Sequence, residues 1–191
     1  MNTPVYHDRS VPLSVRVDDL LVRMTIPEKI GQLMQLDGSR DYRRAIEEFN
    51  VGSLFHLNGT DADATIFPTQ LAMASSWDTS LLGEAARVTA REMRATGLKW
   101  TFSPVLCIAR DLRWGRIDET FGEDPYLIGE FAKAMIGGYQ GKGLGDPEAV
   151  LATAKHYAGY SETAGGRDAA EADLSRRALG MHGLHDRIPV H

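Results

Sequence analysis

A dense cluster of charge around one indole marks the first place where chemistry is possible. Residues 109–125 hold three arginines and five carboxylates within 17 positions, with Trp114 among them. Because an indole prefers burial and a buried arginine needs a carboxylate partner, most of these charges are predicted to form a structural ion-pair network. The functional alternative is that one arginine reaches a cavity, where its five fixed N–H donors suit vicinal hydroxyl groups as well as a carboxylate.

A second cluster ends the apolar segment that begins at Val150, where Lys155 and His156 stand side by side. In parallel α/β folds, ligands bind at the carboxyl ends of strands, which favours a site here. Side chains alternate along a strand, so the two can share a site only if the strand breaks between them. Taken alone, a histidine at a strand end is more often structural than catalytic.

The third cluster, residues 161–168, contains two glycines but lacks the spacing of a phosphate-binding loop. Its plain structural interpretation is that Arg167 and Asp168 pair with each other. The spacing of His182, His185 and His191 fits no zinc pattern, so no metal site is predicted. No serine or cysteine nucleophile motif is present, and no cofactor is predicted.

The elements that must position these residues alternate in type. The pattern predicts strands over residues 51–57, 100–108 and 150–158. It predicts helices from Ser14, from the capping box of Thr25 and Glu28, and over residues 41–49, 80–96, 126–140 and 169–179. Strands separated by helices long enough to return the chain for parallel pairing predict an α/β fold. The loops after the second and third strands are expected to face one common site.

Composition sets limits on the function. The chain has 191 residues, of which 43% are hydrophobic and 25% charged, with a net charge of −5. This is typical of one globular domain, and the absence of a basic stripe argues against nucleic acid as a partner. No stretch reaches the length of a membrane span, so no membrane association is expected. Cys107 is the only cysteine, and with no signal peptide at the start the default expectation is a cytoplasmic location.

Several motifs, in order, resemble family 3 glycoside hydrolases of the β-glucosidase type. The stretch from Arg110 through Tyr126 is similar to that family's signature, and residues 154–159 resemble its lysine–histidine segment. The opening helices, residues 67–72 and residues 76–78 also resemble the family. The resemblance covers residues 14–179. Residues 1–13 are expected to be a flexible lead-in, and residues 180–191 a disordered tail that does not resemble the family.

The resemblance implies a (β/α)8 TIM-like barrel domain, here partial and incomplete. It also implies a retaining double-displacement mechanism that releases terminal β-D-glucosyl or related residues from a small carbohydrate, without a cofactor. By position in the motifs, Arg116, Lys155 and His156 match the residues that hold the hydroxyls of the terminal sugar.

The chain also departs from the family pattern. Only residues 58–66 stand where the family has a further strand with a sugar-binding aspartate, so that role is not given to Asp61 or Asp63. The nucleophile and the acid/base residue are expected outside this chain, and no catalytic residue is assigned within it. The chain alone is therefore expected to have weak or no hydrolase activity. A non-catalytic carbohydrate-binding remnant is the alternative, and an unrelated phosphate-handling protein is disfavoured because no Gly-rich loop opens a helix.

Overall fold

The computed structural model describes residues 4–51, 53–55, 64–143, 145–157, 159–172 and 174–182. The chain divides into two compact units, residues 1–60 and residues 61–191. They are called the N-terminal region and the C-terminal region below, and each is described by itself. Residues 56–63, which include Asp61 and Asp63, and residues 183–191 of the predicted tail lie outside the described residues.

The N-terminal region is a small βαβ unit preceded by two helices. Its elements in chain order are a 3-10 turn at Val5–His7, α1 at Leu13–Arg23, α2 at Ile26–Gly31, β1 at Gln35–Asp37, α3 at Gly38–Glu47 and β2 at Ser53–Phe55. β1 and β2 pair in parallel, with Leu36 opposite Leu54, and α3 makes the crossover. The segment before α1 is tied to it by the Tyr6 amide, which donates to Asp19 Oδ2 at 3.0 Å.

The predicted capping box at the start of α2 is confirmed. The Thr25 amide donates to Glu28 Oε2 at 2.7 Å, and Thr25 Oγ1 accepts from the Glu28 amide at 3.4 Å. The sequence predicted this helix to continue past Leu33, and that is wrong, because α2 ends at Gly31. Gly31 packs so closely on the carbonyls of Phe49 and Asn50 that a Cβ would collide with them. The chain then turns and enters β1, a strand that the sequence did not predict.

Helices dominate the C-terminal region. Its elements are α4 at Gln70–Ala74, α5 at Thr79–Ala95, a 3-10 turn at Ile117–Glu119, α6 at Pro125–Gln140, a 3-10 turn at Ala164–Gly166 and α7 at Arg176–His182. α5 begins where the sequence predicted, because Asp78 Oδ1 accepts from the Ser80 amide at 2.9 Å and the Leu81 amide at 3.1 Å. It ends before Gly97, whose positive φ of 87° suits glycine. None of the helices described is both long and apolar enough to cross a membrane.

The core of the C-terminal region lies between α5, α6 and two extended segments. α5 and α6 approach closely at Gly138, where a Cβ would collide with the carbonyl of Gly83 and the Cβ of Ala86. The apolar side chains around this contact are fully or almost fully buried: Leu82, Ala86, Ala90, Ile108, Ile128, Phe131, Met135 and Val150. This layer supports the loops that carry the charged clusters.

The predicted strands over residues 100–108 and 150–158 are extended and parallel but not regular. They pair through isolated bridges, Trp100 with Leu151 and Val105 with Lys155. Between the bridges the register shifts by one residue, because the amides of Thr153 and Lys155 donate to the adjacent carbonyls of Ser103 and Pro104. The Val105 amide donates to Gln70 Oε1 at 3.2 Å, so it is not available to the ladder. The predicted α/β class is therefore correct, but these two segments are not the full strands that the sequence predicted. Among the residues that the structure describes, β1 and β2 are the regular strands.

The predicted helix over residues 169–179 is wrong in its first half. Thr163 bridges antiparallel to Ala172, and the Ala164 amide donates to the Glu171 carbonyl at 2.9 Å. The helix starts only after Ser175, whose hydroxyl accepts from the Ala178 amide at 3.1 Å. The side-chain cap at Ser175 sets the start of the helix, and the alanines before it lie outside the helix.

Candidate functional site

Arg116 is fixed by a carboxylate three residues further along the chain. Its Nε and Nη2 donate to the two carboxylate oxygens of Glu119 at 2.7 and 2.8 Å. The 3-10 turn at Ile117–Glu119 places the two side chains together, and the paired geometry holds the plane of the guanidinium. The hydrogen bonds from Arg116 lower the pKa of Glu119 and raise that of Arg116 itself.

Tyr160 joins this pair to the later loop. Arg116 Nη1 donates to the Tyr160 hydroxyl at 2.8 Å, and that hydroxyl donates to Asp168 Oδ1 at 2.5 Å. The Arg116 guanidinium carbon also lies 5.4 Å from the centre of the Tyr160 ring, a cation–π contact. The hydrogen bond to Asp168 raises the pKa of Tyr160. Asp168 therefore binds Tyr160, where the sequence suggested Arg167 as its partner.

His156 packs on the same tyrosine ring. The centres of the two rings are 4.1 Å apart, and Nδ1 of His156 lies 3.3 Å from Sγ of Cys107. Burial lowers the pKa of His156 below 6.5, and the positive charges of Lys155 and Arg116 lower it further. The neutral form of the imidazole therefore predominates at pH 7.

Lys155 belongs to the same cluster of charges. Burial lowers the pKa of Lys155, the charge of Arg116 adds to this, and Glu119 opposes it. The peptide bond between Lys155 and His156 is cis. Both side chains interact electrostatically with Arg116 and Glu119, so the simple alternation of a strand does not hold here. Within the described part of the chain, the Lys155 ammonium makes no hydrogen bond or ion pair.

Trp114 forms the base of the site. It is 1% exposed and meets the Tyr160 ring edge-on, with ring centres 5.3 Å apart. The burial expected for this indole is confirmed. The neighbouring arginines are mostly paired, as the structural interpretation predicted. Arg113 donates to both oxygens of Asp111 and lowers the pKa of that carboxyl to about 2. Arg110 Nε lies 3.8 Å from Glu162 Oε1.

The three residues proposed from the sequence thus occupy one site, formed by the loop before α6 and the loop after the 151–155 segment. Their role as sugar ligands stays a prediction. Sequence reasoning missed three partners: Glu119, Tyr160 and Cys107. The spacing of Glu119 from Arg116 was a usable signal. Tyr160 and Cys107 gave none, because only the folded chain brings them to His156.

Several hydrogen-bond donors of the site have no protein acceptor among the described residues. Three of the five N–H groups of Arg116 bind protein partners, and the other two meet no acceptor among the described residues. The ammonium of Lys155 adds further donors. Such a site suits a ligand rich in oxygen acceptors. Among the residues that the structure describes, no group of three or more His, Cys, Asp or Glu side chains is placed to hold a metal ion.

Comparison with known proteins decides the family. The sequence profile of the Glycosyl hydrolase family 3 N terminal domain matches residues 56–185, which contain Arg116, Lys155 and His156. The chain belongs to glycoside hydrolase family 3. In this family, the α/β elements described above are a part of the N-terminal barrel domain.

Family 3 relatives include enzymes of two specificities. The chain is 37% identical over 171 residues to a β-xylosidase of Formosa agariphila, covering 86% of this chain and 24% of that protein. It is 31% identical over 195 residues to a periplasmic β-glucosidase of Salmonella typhimurium, covering 85% of this chain and 26% of that protein.

Solved structures agree with the family. A β-glucosidase involved in saponin metabolism from intestinal bacteria is 50% identical, with a TM-score of 0.73, and covers 86% of this chain and 26% of that one. The β-glucosidase of Listeria innocua, solved in complex with glucose, is 30% identical with a TM-score of 0.70, covering 87% of this chain and 30% of that one. This chain spans about a quarter of the length of the curated relatives that it matches.

Proposed function

We propose that this chain supplies the part of a family 3 β-glycosidase that holds the terminal sugar, with Arg116, Lys155 and His156 donating hydrogen bonds to its hydroxyls. The observation that carries the proposal is the cluster around Tyr160. There, the Lys155 ammonium and two N–H groups of the half-buried Arg116 guanidinium have no protein acceptor among the described residues. These donors are open to a ligand, and the hydroxyl oxygens of a bound polyol would accept from them.

The charge of the site favours a neutral ligand. Arg116 and Lys155 carry positive charge, Glu119 and Asp168 carry negative charge, and the His156 imidazole is neutral. The guanidinium is already neutralised by the two-point contact with Glu119. An anionic ligand would have to compete with these carboxylates, whereas a pyranose can donate to them and accept from the nearby cations.

In the whole protein, we propose the retaining mechanism of a β-glucosidase or related β-glycosidase acting on a terminal β-D-glucosyl residue. One carboxylate attacks the anomeric carbon, and a carboxylic acid protonates the departing oxygen and then activates water. The residues of this chain bind and orient the sugar, so that hydrogen bonds strengthen as the ring flattens. The Listeria innocua relative binds glucose and laminaribiose, which supports a glucosyl unit as the first ligand to test.

Alone, the chain is proposed to bind sugar and to hydrolyse little or none. The motifs that it contains carry sugar-holding residues, and the nucleophile and acid/base carboxyls are expected outside it. Binding without turnover would also fit the second candidate, a non-catalytic carbohydrate-binding remnant. Activity restored by adding the rest of a family 3 domain in trans separates the two.

Calorimetry with glucose tests the binding, and Arg113 provides a matched control. Arg113, like Arg116, binds a nearby carboxylate through two nitrogens, but its side chain is 72% exposed. We expect Arg116→Ala to weaken glucose binding at least tenfold and Arg113→Ala to leave it unchanged. Equal effects of the two changes, or no glucose binding by the native chain, would contradict the proposal. Rapid turnover of a chromogenic β-glucoside would contradict the absence of the catalytic carboxyls.

A further inference from the structure

The only cysteine of the chain lies against a residue of the proposed sugar site. Cys107 is 6% exposed, in a small apolar cluster with Val105 and Trp114. Its Sγ is 3.3 Å from Nδ1 of His156, within hydrogen-bond distance for sulfur. The structural role expected for a buried cysteine is packing, but this contact also bears on the protonation of a ring nitrogen.

The protons on the two groups can be assigned from their surroundings. Burial raises the pKa of the Cys107 thiol, so the sulfur keeps its hydrogen at neutral pH. Burial and two nearby cations lower the pKa of His156, so the ring carries one hydrogen. A thiol sulfur is a weak acceptor, while an unprotonated imidazole nitrogen is a good one. The favoured arrangement therefore has the S–H group donating to Nδ1.

We propose that Cys107 is a positioning residue that holds His156 in the tautomer with its hydrogen on Nε2, so that this nitrogen presents a donor to a sugar hydroxyl. The ligand in this statement rests on the proposed function, whereas the tautomer does not. With the opposite tautomer, Nε2 would be an acceptor. Arg116 and Lys155 would still donate to the sugar, but His156 would not.

The other groups near His156 do not compete for Nδ1. Lys155 and Arg116 act on the ring by charge, as do Glu119 and Asp168 with the opposite sign. Tyr160 stacks on the ring face, and its hydroxyl is engaged by Arg116 and Asp168. Among the described residues, Cys107 is the partner that reaches a ring nitrogen.

Nitrogen NMR of the histidine rings tests the tautomer directly. The chain has six histidines, and His156→Gln identifies the signals of His156 in protein labelled with ¹⁵N-histidine. We expect native protein at neutral pH to show an unprotonated Nδ1 and a protonated Nε2. A protonated Nδ1 in the native chain would overturn the proposal without any variant.

Substitution of the cysteine separates its proton from its packing. In Cys107→Val the donor is lost at similar volume, and we expect the two tautomers of His156 to become mixed. In Cys107→Ser a hydroxyl donor is kept, and we expect the native tautomer to remain. An unchanged tautomer in Cys107→Val would overturn the role of the thiol.

Glucose affinity then tests the consequence for the sugar. We expect Cys107→Val to weaken glucose binding severalfold and Cys107→Ser to restore most of it. A native tautomer as expected with no glucose binding would reject the proposed function and leave the positioning role intact. If Cys107→Val does not fold, the native spectrum and that of Cys107→Ser still decide the tautomer.

Discussion

The N-terminal and C-terminal regions use similar amphipathic helices with opposite results. In α1, Val17, Leu20 and Leu21 recur at helical spacing, yet they are 43%, 39% and 44% exposed. In α6, Ile128 and Phe131 recur in the same way and are fully buried. An apolar stripe thus predicts a helix in both regions, but burial depends on a neighbouring element of matching shape.

The difference extends to whole regions. In the described part of the N-terminal region, Gly31 and Ala45 are the buried residues, while Leu33 and Val22 are 88% and 86% exposed. The C-terminal region has a continuous core between α5 and α6. Since stability follows the apolar area removed from water, most of the folding free energy is expected to come from the C-terminal region.

The largest expected effect comes from the same substitution made once in each region. Leu82 is fully buried in α5, and Leu33 is almost fully exposed. We expect Leu82→Ala to lower the free energy of unfolding by about 2–5 kcal/mol, because it leaves a cavity. Leu33→Ala should change it by less than about 0.5 kcal/mol. Urea unfolding followed by circular dichroism measures both, and similar losses would show that the exposed leucine has a partner.

Next comes the removal of one arginine from an ion pair. Arg87 binds Asp146 and Glu148, both at 2.9 Å, and joins α5 to the segment after α6. In the N-terminal region, Arg23 binds Asp19 one helical turn away, and its side chain is 50% exposed. We expect Arg87→Ala to lower the melting temperature by several degrees and Arg23→Ala to leave it almost unchanged, since exposed pairs contribute little. A larger effect of Arg23→Ala would contradict this order.

A smaller effect is expected from the helix caps. Asp78 caps the 17-residue α5, and Thr25 caps the six-residue α2. We expect Asp78→Ala to lower the free energy of unfolding by about 1 kcal/mol. Thr25→Ala should cost less than that, because α2 buries little. Thermal unfolding followed by circular dichroism measures the two changes, and equal losses would mean that α2 contributes to the cooperative unit as much as α5.

The smallest effect is expected from the titration of His156. Its pKa in the folded chain is lowered below 6.5, so between the lowered value and 6.5 the unfolded chain binds more protons. Stability therefore rises as pH increases through this range and levels off above it. In His156→Gln this rise should be reduced. Urea midpoints measured from pH 5 to 7.5 give the dependence of stability on pH. A stability of the native chain that falls as pH rises through this range would contradict the lowered pKa.

Local signals in the sequence were sufficient for the caps and for the long helices. The capping box at Thr25, the cap at Asp78 and the extent of α6 depend on residues a few positions apart, so their patterns are visible without the fold. The grouping of Arg116 with Lys155 and His156 was also predictable, because parallel segments bring their following loops to one edge.

Features that depend on distant contacts were not predictable. β1 exists because Gln35–Asp37 pairs with Ser53–Phe55, 18 residues later, and nothing local distinguishes it from the end of a helix. The extended segments do not form a regular hydrogen-bond ladder around Pro104. The contact of Cys107 with His156 spans 49 residues, so an apolar run gave no sign that its cysteine meets a ring nitrogen.

The position of Trp114 gives the site an intrinsic optical reporter. Trp77 and Trp100 are 76% and 43% exposed, while Trp114 is almost fully buried. A water-soluble quencher will therefore suppress the emission of the first two and spare that of Trp114. The remaining signal comes from an indole in edge contact with Tyr160, so a ligand that shifts this tyrosine will change its wavelength. Occupancy can then be followed in the native chain without an attached dye.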